Sequence, residues 1–204
     1  MKNIITFVLG AILAFPALIA AQTTVTARVG TDSEAYHFAE VVQQLDNDTL
    51  IGAGYLGTDT PDANREAWAG IGRAFNVAGV NILAIGFVDQ TGGDATDAQT
   101  SIQPWLLATR NFGKVVGTAN YLIYTPVGDG EVIQVLEHAK SEYRISGSWL
   151  AGAGYAAVKV GDAEWQHKPF LTTTLLTKLG SFELWAQRPR EGASSFQLRY
   201  QRNF

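Results

Sequence analysis

Past residue 22 the chain alternates apolar and polar positions far more than it repeats them every three or four residues. Near the start Val25, Ala27 and Val29 alternate with Thr24, Thr26, Arg28 and Gly30. At the end Phe196, Leu198, Tyr200 and Phe204 alternate with Ser195, Gln197, Arg199, Gln201 and Asn203. Between them Tyr143, Ile145, Trp149, Ala151, Ala153 and Tyr155 share one face, opposite Arg144, Ser146 and Ser148. A period of two sends successive side chains to opposite faces of a strand. Segments rich in Thr, Val, Tyr, Phe and Trp, each bounded by Gly, Pro, Asn or Asp, mark twelve strands. They lie at 23–32, 35–45, 49–58, 66–76, 80–90, 100–110, 114–125, 131–139, 143–158, 168–177, 181–188 and 194–204.

The connections between these strands fall into two groups. Every second one is tight: Asp46-Asn47-Asp48, Val77-Ala78-Gly79, Asn111-Phe112-Gly113, Lys140-Ser141-Glu142 and Leu179-Gly180. Most of the others are longer and polar, as at 60–65, 92–99, 161–167 and 189–193; the first, around Asp32-Ser33-Glu34, is short. Short turns at one end and long loops at the other fit an antiparallel barrel crossing a bilayer, and an even strand count puts both termini at the short-turn end. Strands of about 9–11 residues are long enough to cross when tilted. The expectation is an all-β, closed antiparallel transmembrane barrel of twelve strands, with ten or eight as alternatives.

Two stretches compete with that reading. Phe38, Val41, Val42 and Leu45 have helical spacing, as do Val132, Val135, Leu136 and Ala139. Removing either strand would reverse the next one and scramble the sorting of turns, so both are read as strands. Pro104 removes a ladder hydrogen bond, which predicts full pairing of the sixth strand only from Trp105 onward. The stretches "IGAGYLG" and "LAGAGY" echo one another, each a Gly/Ala-rich strand after a polar turn.

Residues 1–21 read as a cleaved signal peptide, leaving 22–204 as a single barrel domain. Lys2 supplies the positive start, 4–19 is apolar except for Thr6, Gly10 and Pro16, and Ala20-Ala21 offers small residues for cleavage. Cysteine is absent and the net charge is −4. Disulfides are therefore excluded, and so mild a charge with scattered basic residues speaks against nucleic acid.

The last strand carries the strongest local signal. A strand closing a barrel in lipid must pair on both edges, because an unpaired backbone group in hydrocarbon costs several kcal/mol. Its outer face must be apolar and its aqueous end suits an aromatic ring. Phe196, Leu198, Tyr200 and Phe204 supply both. In this the sequence resembles bacterial outer-membrane β-barrel proteins, whose last strand commonly ends in Phe after alternating apolar residues. The resemblance covers the last nine residues closely and departs from the pattern at Arg202. It implies export to the outer membrane, contact with its lipid and lipopolysaccharide, and use of those four residues as a signal by the assembly machinery.

Candidate chemistry is sparse. His37, His138 and His167 have no metal-ligand spacing, and no cofactor is expected. His138 with Ser141 and Glu142 falls in an expected turn, and His167 in an outer loop with Glu164 and Trp165. The long loops make the outer rim acidic, with Asp32, Glu34, Asp59, Asp62, Glu66, Asp89, Asp94 and Asp97 among its residues. Arg28, Arg73, Asn120, Arg144, Glu183, Arg199 and Gln201 are the candidate lumen residues, with Glu183 and Arg199 placed to pair. Ile71, Leu83 and Leu106 are expected on inward faces as well, which suggests a constricted interior. The expected function is a narrow channel or binding barrel for small polar or anionic solutes. A filled-lumen scaffold or surface protein is the alternative, and a lipid-modifying enzyme a weaker one.

Overall fold

The computed structural model describes residues 23–31, 35–58, 64–93, 98–187 and 194–203. Residues 1–21, the terminal Phe204 and most of the acidic loop residues expected at the outer rim lie outside these. Twelve strands fill the described chain: β1 (Thr23–Thr31), β2 (Ala35–Gln44), β3 (Thr49–Thr58), β4 (Asn64–Val77), β5 (Val80–Gly93) and β6 (Gln99–Phe112) form the first half. β7 (Val115–Pro126), β8 (Ile133–Arg144), β9 (Trp149–Val160), β10 (Gln166–Thr177), β11 (Gly180–Gln187) and β12 (Ser195–Asn203) form the second. Every neighbouring pair is antiparallel, and β1 pairs with β12, so the sheet closes on itself. Both segments with helical spacing are strands, β2 and β8. In a sheet their apolar residues no longer need one common stripe, because one face meets the lumen and the other the exterior.

The tight connections gather at one end. Ala78-Gly79 forms a two-residue turn with φ of 51° and 79°, the twist that suits a hairpin. Thr24 of β1 faces Asn203 of β12 at this same end. One turn is displaced from expectation: Lys140, Ser141 and Glu142 lie within β8, and the chain reverses at 145–148 instead. Pro104 also behaves differently from expectation. β6 pairs with β5 continuously from Gln99, with Pro104 opposite Gly86, whereas its ladder to β7 skips Gln103 and Pro104. The missing N–H costs pairing on one side only.

The outer face is apolar. Leu171 is 67% exposed and Ile71 65%, with Val88, Ile102, Leu106, Leu175, Leu184, Phe196 and Leu198 also exposed. Trp149 and Tyr155 share this outward face. A water-soluble sandwich would have buried both. So much apolar surface is a liability in water and the expected lining toward hydrocarbon.

The lumen holds what would be the core of a soluble protein. Phe38, Leu50, Trp68, Ile85, Phe87 and Trp105 pack together from β2 to β6, and Phe170 stacks on Trp185 across β10 and β11 at 4.2 Å between ring centres. Room for these rings comes from glycine on the adjoining strands. A Cβ at Gly54 would overlap the Trp68 ring, one at Gly154 the Phe170 ring, and one at Gly52 would come within 2.8 Å of Phe87. This explains the echo between "IGAGYLG" and "LAGAGY": both strands keep inward glycines where a neighbour's aromatic ring lies flat against the wall.

Candidate functional site: the lumen

A polar seam runs between the two aromatic clusters, and a break in the strand pattern creates its centre. Along β7 and β8, Asn120 faces His138 and the next pair is Tyr121 with Leu136, so Glu137 is an extra residue, a bulge. The bulge turns Glu137 and His138 into the lumen together. Glu137 accepts a hydrogen bond and ion pair from Arg28 of β1, accepts another hydrogen bond from Asn120, and stands 3.8 Å from Arg199 of β12. These contacts span the barrel from β8 to the β1–β12 seam. His138, 1% exposed, meets the Trp185 ring edge-on at 5.4 Å.

A second ionic group lies between β8, β10 and β11. Lys140 pairs with Glu183 and, at 2.9 Å, with Glu142. Thr174 donates to Glu142 at 2.7 Å and Thr172 to Glu183 at 2.8 Å. Every carboxylate here has both a cation and a hydroxyl donor, the condition under which buried charge is tolerated.

A third group lies toward the long-loop end. Around a cavity of about 180 Å³ stand Phe38, Trp68, Phe87 and Trp105 with the carboxylates of Glu40 and Glu66. Trp68 donates to Glu40 at 3.3 Å and Tyr124 to Glu66 at 2.8 Å. Asp89, fully buried beside Trp68 in the β4–β5 register, accepts from Thr91 at 3.0 Å.

Of the sequence-selected residues, Arg28, Asn120, Glu183 and Arg199 meet in or beside the seam. Arg144 and Gln201 sit half-buried on inward faces near the short-turn end. Arg73 does not belong with them. It is exposed on the outward face of β4, four to five residues from the turn. Ile71 and Leu106 are outward too, while Leu83 packs inside. Glu66 and Asp89 face the lumen and not the outer rim. Glu183 and Arg199 are direct register partners, but the Glu183 carboxylate is taken by Lys140. His138 and Glu142 are lumen residues within β8, not turn residues, and His167 bonds Tyr155 on the outer face. Phe196 and Leu198 lie on the lipid-facing side, and Tyr200 is covered, donating to the Leu179 carbonyl at 2.6 Å.

Glu40 and Glu137 were not singled out by sequence, and Lys140 and Glu142 were read as turn residues. Glu40 has the same parity as Phe38 and Val42 and was legible in principle. Glu137 was not, because the bulge breaks the parity that would have revealed it.

The chain forms a closed twelve-stranded barrel with an apolar outer band and a charged, ring-lined lumen. No protein-family model matches the sequence, and no curated protein matches it. Among solved structures it is similar to the KdgM porin, with a TM-score of 0.61 at 8% identity, over 89% of this chain and 99% of that one. It is equally similar to the NanC porin, with a TM-score of 0.60 at 8% identity, over 89% and 98%. A KdgM porin in complex with disordered oligogalacturonate gives 0.60 at 10% identity, over 89% and 99%. At such identities the likeness is one of fold.

Proposed function

We propose that this chain resides in the bacterial outer membrane and passes or holds small polar solutes, acidic ones included, through a narrow lumen. The observation that carries the reading is the charged seam of Arg28, Glu137, Arg199, Lys140 and Glu183 enclosed by a lipid-facing apolar band. Inward-facing charges offer a polar solute partners that an apolar filling would not, although desolvating each costs several kcal/mol before pairing returns it. The fold shared with the KdgM and NanC porins supports the same reading, and the oligogalacturonate held by one of them is a carboxylate-bearing solute. Residues 1–21 act as the export signal in this proposal, and the apolar outward positions of β12 as the assembly signal.

Heat-modifiable migration together with outer-membrane fractionation tests the location. In planar bilayers the folded protein gives discrete, small conductance steps. A protein that is folded by heat modifiability yet silent in the bilayer overturns the channel. That result favours the second reading, a scaffold with a filled lumen, for which the tightly seated Trp68, Trp105 and Trp185 and the Arg28–Glu137 strut are the supporting features.

A further inference from the structure

We propose that the cavity at the long-loop end of the lumen binds a small neutral polyol, a single six-membered ring carrying several hydroxyls. The inference rests on the reading of the lumen as a place that passes or holds small polar solutes, and names the class of solute this part of it takes. The first ground is a pair of unused polar groups on β6. Gln103 and Trp105 share its inward face, line the cavity, and are only 4% and 7% exposed. Among the described residues, neither the Gln103 amide nor the Trp105 indole N–H has a hydrogen-bond partner. Buried amides and indoles are rarely left so, and a bound ligand is one way they are satisfied.

These groups decide the charge of the ligand. The amide offers donors and an acceptor, and the indole a donor alone. Glu40 lines the same cavity and accepts only from Trp68, at 3.3 Å, so it has acceptor capacity to spare. An ammonium group brings donors alone and would leave the amide and indole N–H groups unpaired. A carboxylate brings acceptors alone and would face the carboxyl groups of Glu40 and Glu66, and like charges brought together cost several kcal/mol. Arg28, the guanidinium that lines the cavity, does not offset this, because it is ion-paired with Glu137. A hydroxyl does both jobs: it accepts from Gln103 or Trp105 and donates to Glu40.

The walls and the size decide its body. Trp68, Phe87 and Trp105 give the cavity apolar ring surface beside a few polar groups, the usual make-up of a small-molecule site. Phe38 adds little to this, because the Arg28 guanidinium covers its ring at 3.9 Å. The space is about 180 Å³. A dry cavity of about 150 Å³ takes a benzene ring, so a six-membered ring with its hydroxyls is the size that fills this one. Water satisfies the polar groups but gains nothing from the ring surfaces, and it is the competitor that the ligand displaces. The preference concerns residence in the cavity and leaves the passage of acidic solutes untouched.

The test uses the full mature protein folded in micelles of a sugar-free detergent and read by isothermal titration. Glucose and myo-inositol are the neutral ring probes, with glucuronate and protonated glucosamine as anionic and cationic forms of the same body. At least one neutral probe is expected to bind saturably, at least tenfold tighter than either charged form, and the tighter of the two separates a sugar from a cyclitol. Gln103→Leu loses at least tenfold in that affinity without lowering the urea midpoint, because a buried amide that lacks a partner does not stabilise the fold. Lys178→Gln, in a tight turn at the opposite end of the barrel, keeps both. A charged form that binds as tightly as the neutral probes, an affinity untouched by Gln103→Leu, or no saturable binding of either polyol overturns the site; in the last case the cavity holds water only. Should Gln103→Leu fail to fold by heat modifiability, the wild-type ranking of the four probes decides the matter. Conductance of the same preparation separates the two proposals: steps without polyol binding remove the site and leave the channel, and binding in a silent barrel does the reverse.

Discussion

At Ala78 the backbone takes φ of 51°, a left-handed conformation in which an L side chain crowds the following carbonyl. Gly79, at 79°, bears no such cost. Asn76 supports the turn by accepting from the Gly79 N–H at 3.2 Å. Asn and Gly adopt the left-handed region more readily than Ala, so Ala78→Asn or Ala78→Gly is expected to stabilise the folded barrel by about 1 kcal/mol. Urea unfolding in micelles measures it, and an unchanged or lowered midpoint contradicts the turn geometry. The same scale explains the exposed Arg73. Near the interface a guanidinium on the lipid side reaches water along its own stem, so a polar residue there looks in sequence just like one that faces the lumen.

Individual strands show where sequence reading succeeds and where it stops. Boundaries were legible because period-two alternation ends wherever Gly, Asn or Asp bends the chain, and the β3–β4 and β4–β5 pairs follow this closely. The β8–β9 hairpin misled because Lys140 and Glu142 are polar in the way a turn is polar. They are polar for another reason, since Lys140 ion-pairs with both Glu142 and Glu183 inside the barrel. Parity also fails at a bulge, which is why Glu137 could not be seen beforehand. The inward glycines of β3 and β9 were visible as an echo, but which rings they seat depends on register. Their role predicts that Gly54→Ala, which places a methyl against the Trp68 ring, destabilises by about 1–3 kcal/mol. Gly86→Ala, where the added methyl meets nothing, is the control and is expected to change the urea midpoint little.

Closure of the whole barrel depends on charges brought from opposite walls. On the β1–β12 seam Arg28 and Arg199 are direct register partners, and like charges facing each other across two strands repel. Nothing on the seam itself relieves them. Glu137 does, reaching from β8 across the lumen to ion-pair with Arg28 and approach Arg199. The bulge that places it there links the closing strand pair of the sheet to the far wall. Glu137→Gln keeps the shape but removes the carboxylate that ion-pairs with Arg28. It also removes one of the two acceptors that Arg28 and Asn120 use, leaving Glu40 and Glu183 as the nearest counter-charges. Breaking a buried pair in this way typically costs about 3–5 kcal/mol. The urea midpoint should therefore fall sharply, with β1–β12 amides showing the greatest gain in hydrogen exchange. Removing one of the two repelling charges as well, in Glu137→Gln with Arg199→Gln, is expected to restore a large part of the loss. If the double variant is as unstable as the single one, Glu137 acts by packing and not by charge, and the seam is held by its backbone ladder alone.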